Sequence, residues 1–101
     1  MEKSIAHYSL DAIKAEVTKR GATCFTHAAK KGIALLDMDE DEALSVVLGL
    51  ERRMLFKSMT THTDHRIWQD VYCAPCPNGR MVYIKLTLRG DGAVVIQFKE
   101  R

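Results

Sequence analysis

The stretch MVYIKLTLRGDGAVVIQF, residues 81–98, decides the architecture. Alternation places Val82, Ile84, Leu86 and Leu88 on one side of a strand and Met81, Tyr83, Lys85 and Thr87 on the other. After Gly90, Asp91 and Gly92 the same period returns, with Val94, Ile96 and Phe98 facing one way and Val95, Gln97 and Lys99 the other. Two such runs joined by a glycine-rich turn predict an antiparallel hairpin with one apolar side. Its other side is wet, and Tyr83, Lys85 and Lys99 share it. Upstream, IWQDVY (67–72) has the β-branched and aromatic content of a further strand, and Pro75, Pro77, Asn78 and Gly79 separate it from residue 81. The expected unit is a three-strand meander.

The first half of the chain reads differently, because its apolar residues recur at helical spacing. Leu10, Ile13 and Val17 follow Ser9 as N-cap and precede Gly21. A second helix is expected from Thr26, carrying Ala28, Ala29, Ile33 and Leu36, although Gly32 inside it costs about 1 kcal/mol relative to alanine. In the third, Asp39 and Glu42 form an aspartate version of the capping box ahead of Leu44, Val47 and Leu48, and Gly49 marks the stop. The acidic run from Asp37 to Glu42 complements the positive end of that helix. Helices followed by strands, each with one apolar face, predict an α+β fold with N-terminal helices packed on one face of the sheet. Residues 1–101 are expected to form one domain, mainly helical over 1–50, with an active-site segment and the meander over 51–101.

Bulk properties narrow the function without choosing it. At 101 residues, 47% hydrophobic and 28% charged, the chain has the composition of an ordinary globular domain. The formal net charge of +2 is too small to imply nucleic acid by itself, so the distribution of charge has to decide. No apolar run approaches the ~20 residues of a membrane span, and residues 1–16 lack a signal-peptide h-region, which makes the cytoplasm the expected location. Cys24, Cys73 and Cys76 are an odd number in such a chain, so reduced thiols are expected.

Three blocks, FKSMTTHTDHRIWQDVY (56–72), VYIKLTL (82–88) and VIQFKER (95–101), resemble the core of the motility quorum-sensing regulator (MqsR) toxins and fall in that family's order. The resemblance implies a RelE-like microbial ribonuclease fold, with helices on a curved antiparallel sheet and RNA on the sheet's open side. By position it makes Lys57, Gln69, Tyr83 and Lys99 the catalytic residues, with Lys85, His65, Arg66 and His62 as further RNA contacts. The implied activity is that of a type II toxin, an endoribonuclease or mRNA interferase that cuts single-stranded mRNA with some sequence preference and inhibits translation. It also implies a cognate MqsA-type antitoxin with a zinc-binding part and a helix-turn-helix part, so that DNA is reached only through the antitoxin. No membrane partner is expected. At His62 and Cys73 the chain departs from the family, which usually carries tyrosine and arginine there.

Attack of a ribose 2′-hydroxyl on the neighbouring phosphate needs a base, an acid for the leaving oxygen and cations for the phosphorane, and none of these has to be a metal. A tyrosine ordinarily titrates near ~10, so Tyr83 can be the base only if cations favour its phenolate. Lys57 and Lys99 then share charge stabilisation and protonation of the 5′-oxygen, and Gln69 positions RNA. A competing reading joins His62-x-x-His65 to Cys73-x-x-Cys76 as a tetrahedral zinc set, which would make the chain a zinc-dependent interaction protein. Residues 67–72, extended over roughly 20 Å, would hold those pairs apart, so no metal or other cofactor is assigned. The main rival is a non-catalytic nucleic-acid-binding module that uses the same basic-aromatic face. Met59 is expected in the core, and Trp68 as a buried anchor.

Overall fold

The computed structural model describes residues 1–101. In chain order it has β1 (Glu2–Lys3), α1 (Leu10–Arg20), α2 (His27–Leu35), α3 (Glu40–Leu48), β2 (Leu55–Thr60), β3 (Trp68–Pro75), β4 (Met81–Leu88) and β5 (Val94–Glu100), with short 3-10 turns at Gly21–Cys24 and Arg52–Met54. The five strands form one open sheet in the order β1-β2-β3-β4-β5, and every neighbouring pair is antiparallel. This is the α+β architecture expected. No helix is long and apolar enough to cross a membrane.

Each helix starts where a side chain can satisfy its first amides. The Ser9 and Thr26 side chains accept from Ala12 N and Ala29 N, and Asp39 and Glu42 complete the capping box in both directions. The buried stripes are Leu10, Ile13 and Val17 on α1, Ala29 and Ile33 on α2, and Ala43 and Val47 on α3. They pack on Val82, Ile84, Leu86, Val94, Ile96 and Phe98, the side of the hairpin that the alternation marked as apolar. On α3 the buried face is rotated from the expected one, since Leu48 is exposed and Leu44 only half-buried. Ala28, expected on the core face of α2, is also exposed.

Gly32 is a packing requirement. A Cβ at that position would lie 2.5 Å from the Phe98 carbonyl oxygen of β5. The helix accepts a weaker propensity so that its backbone can approach the sheet.

Two strands were missed in the sequence. No strand was expected in the segment before residue 67, yet β2 lies there and pairs with β3 along its length. Its inward residues are polar: Ser58 and Thr60 are buried, and Ser58 faces Asp70, which is fully buried on β3. Asp70 gathers three donors. His7 N and Tyr8 N donate to its two oxygens at 2.9 and 2.8 Å, and Ser58 Oγ donates at 2.7 Å. Tyr8 also donates its phenol to the Trp68 carbonyl. The N-terminal segment is thereby fixed across the sheet, and β1 pairs with β2 at Glu2↔Met59 and Lys3↔Ser58.

Trp68 is a half-buried anchor and not a fully buried one. Its ring stacks on His7 at 5.1 Å with an interplanar angle of 12°, and Lys3 Nζ lies 4.2 Å from its centroid. Met59 is corrected more strongly, because β2 carries it to the open side of the sheet, half-buried, instead of into the core.

Gly32→Ala should lower stability by about 1–3 kcal/mol in denaturant unfolding, because overpacking against the Phe98 carbonyl exceeds the gain in helix propensity. Unchanged or increased stability would mean that the α2–β5 approach is looser than described. Asp70→Ala should cost about 3 kcal/mol and accelerate hydrogen exchange at the His7 and Tyr8 amides, which lose a buried charged acceptor.

Candidate active site

The open side of the sheet is built in rows by the strand register. One row runs Lys57–Val71–Lys85–Gln97 across β2 to β5, and the next runs Cys73–Tyr83–Lys99 across β3 to β5. Directly opposed residues on one face lie roughly 4.5–5.5 Å apart at Cβ, which makes Tyr83 and Lys99 immediate neighbours. Lys57, Tyr83, Lys85 and Lys99 line a single concavity of about 450 Å³.

A β-bulge completes that concavity. On β2 the register steps from Leu55↔Tyr72 to Lys57↔Val71, so two residues of β2 oppose one of β3. Phe56 and Lys57 both line the site as a result. The Phe56 ring lies 5.6 Å from that of Tyr83, and the Arg101 guanidinium lies 5.9 Å from the Tyr83 ring. Arg101 Nη1 also comes within 3.7 Å of Cys73 Sγ. Arg101 therefore brings a cation over Tyr83 and Cys73 on the open face.

The charges in the site are unevenly paired. Lys85 and Lys99 form no ion pair within the chain, whereas Lys57 Nζ donates a hydrogen bond to Glu2 Oε1. The hydrogen bond from Lys57, reinforced by its charge, holds the Glu2 carboxyl below its usual 4.5. Glu2 reaches this position because β1 pairs with β2.

A phenol, three lysines and no bulky roof form a surface suited to a phosphodiester. The family model for the motility quorum-sensing regulator, toxin of MqsA, matches residues 5–100. The chain belongs to the MqsR toxin family. It is also 37% identical, over 101 residues and the full length of both chains, to the mRNA interferase toxin MqsR of Escherichia coli (strain K12).

Against that family frame, the four residues expected to be catalytic are not all in one place. Lys57, Tyr83 and Lys99 share the concavity just described. Gln69, paired with Met59, lies one row further along and lines a neighbouring concavity with Arg66 and Gln97. Lys85 sits between them, at the expected wet position. His62 and His65 are exposed in the loop between β2 and β3 and line neither concavity, whereas Thr61, Thr63 and Arg66 from the same loop do line the second. Arg66 is held by two hydrogen bonds to Asp64, whose carboxyl is lowered mainly by them.

The suggested zinc ligands do not converge. No group of three or more His, Cys, Asp or Glu residues comes together, since Cys76 is buried in the core while Cys73 lies beside Tyr83 on the open face. Sequence reasoning missed Glu2, Phe56 and Arg101. Phe56 and Arg101 had a legible signal, as the first residue of the block FKSMTTHTDHRIWQDVY and the last of VIQFKER, whereas Glu2 had none.

Above pH 4.5 the Glu2–Lys57 pair contributes in full, and it is lost as pH falls through the lowered folded value. In a carboxyl-carbon NMR titration, Glu2 should have a midpoint below 4.5 that moves up in Lys57→Met. A midpoint that ignores the substitution would show that the two residues do not pair in solution.

Proposed function

We propose that this chain is the toxin of an MqsA-type antitoxin and acts as an endoribonuclease, an mRNA interferase that cuts single-stranded mRNA without a metal ion and so inhibits translation. One observation carries the reading: Lys57, Tyr83, Lys85 and Lys99 converge in one concavity of a chain that matches an mRNA interferase toxin along its whole length. Residues 1–101 work as one unit, with the helices as scaffold and the open face as enzyme. The cytoplasm, where mRNA is found, is its place of action.

In the proposed reaction the phosphate sits over Tyr83, between Lys57 and Lys99. Tyr83, as phenolate, takes the proton of the ribose 2′-hydroxyl, and the 2′-oxygen bonds to phosphorus. The ammonium groups of Lys57 and Lys85 offset the charge of the phosphorane. The bond from phosphorus to the 5′-oxygen then breaks, and Lys99 gives that oxygen a proton. Products are a 2′,3′-cyclic phosphate and a 5′-hydroxyl. Proton exchange through water returns Tyr83 and Lys99 to their starting states.

Gln69 has a different part. Lying two rows from Tyr83 on the same face, it holds RNA by hydrogen bonds and exchanges no proton. The antitoxin, with its zinc-binding and helix-turn-helix parts, carries any contact with DNA.

RNA incubated with the purified protein in EDTA should yield 2′,3′-cyclic phosphate or 3′-phosphate ends. Tyr83→Phe and Lys99→Ala should each lower kcat/KM by about a hundredfold or more, the usual contribution of a proton-transfer group. Affinity for an uncleavable RNA should change far less. RNA that is bound but left intact would instead make the chain a non-catalytic nucleic-acid-binding module, and cleavage abolished by EDTA would refute the metal-free chemistry.

A further inference from the structure

Next to the lysine-lined concavity lies a second one, also of about 450 Å³, bounded by Gln69 of β3, Gln97 of β5, Thr87 and Leu88 at the end of β4, Arg89 and Gly90 just after it, and the loop carrying Arg66 and Ile67. The two are continuous on the sheet. Gln97 is the cross-strand partner of Lys85, and Gln69 lies two residues from Val71, which pairs with both Lys57 and Lys85. From Tyr83 to Arg89 the strand advances six residues, roughly 20 Å at ~3.3 Å each.

The chemistry of the walls changes along that path. Where the first concavity is lined by ammonium groups, which suit phosphate, the second offers two half-buried carboxamides, each with donors and an acceptor. Amides in that arrangement match the edge of an unpaired base. Ile67 and Leu88 add an apolar wall. At the far end Arg89 forms no ion pair within the chain, unlike Arg66, which is committed to Asp64.

We propose that this second concavity is a base-recognition subsite: it takes the nucleobase adjacent to the cleaved phosphate, Gln69 and Gln97 read that base's hydrogen-bonding edge, and Arg89 holds a phosphate further along the same strand, beyond that nucleotide. Sequence preference in cleavage is then set at the end of the sheet and separated in space from the bond-breaking groups. The inference rests on the ribonuclease reading above.

The test is kcat/KM on short RNAs with one cleavage site, in which each base near the cut is varied in turn and the chain is lengthened one nucleotide at a time at either end. Wild type should discriminate most strongly at one base next to the cut. Gln97→Leu should reduce that discrimination by about tenfold or more, in line with the loss of a two-point base contact. Gln97→Glu, which can only accept, should redirect preference toward bases presenting an amino group, an outcome that misfolding cannot imitate. Arg89→Ala should raise KM for the lengthened RNA more than it lowers kcat. Wild-type discrimination retained in both Gln97 variants would overturn the base-recognition subsite, and an unchanged KM for the lengthened RNAs in Arg89→Ala would overturn the phosphate contact. Absence of cleavage by the wild type would instead overturn the ribonuclease reading on which it rests.

Discussion

A carboxylate shut away from water, that of Asp70, holds the catalytic half of this molecule in its shape. Burying an ionised group is costly unless donors surround it, and here two backbone amides and a serine hydroxyl do so. Those donors come from opposite parts of the chain. Because His7 and Tyr8 must stay at Asp70, the first residues run along β2 as an added edge strand, and Glu2 reaches Lys57. The inner side of the sheet therefore has two chemistries: an apolar half covered by helices and a polar half covered by the N-terminal segment.

The open side depends on that division. A sheet covered on one face leaves the other to present its side chains in register, and the register here aligns Tyr83 with Lys99 and Lys57 with Lys85 through Val71. Cations so close to one another repel, and a phosphodiester relieves that repulsion. Glu2 relieves part of it in the free chain. The bulge in β2 adds Phe56 beside the phenol, so that the site has an apolar flank as well as a charged floor.

How much of this was readable in advance follows from where the signal resides. The β4–β5 hairpin was legible because its alternation is regular and its turn is closed by glycine, with Gly92 at φ +87°. The helix caps at Ser9, Thr26 and Asp39 were legible for a similar reason, since local chemistry fixes them. β2 was not, because its buried positions are Ser58 and Thr60, which read as solvent-facing until Asp70 is known to lie opposite Ser58. Gly32 read as a weakness in a helix because its reason is a carbonyl 66 positions away, at Phe98. In the site, Lys57, Tyr83, Lys85 and Lys99 were named from strand faces and family resemblance, whereas the Glu2 contact depends on a two-residue strand whose pairing no local pattern announces.

The central claim is that a phosphate of RNA lies on the Tyr83 side of the sheet among these lysines. A structure of the protein bound to an RNA whose cleavage-site ribose lacks the 2′-hydroxyl measures this directly. The account predicts a phosphate within hydrogen-bond reach of Tyr83 Oη, about 3 Å, flanked by the Lys57 and Lys99 ammonium groups. RNA bound on the helical face, or crossing the sheet with no phosphate near Tyr83, would contradict it.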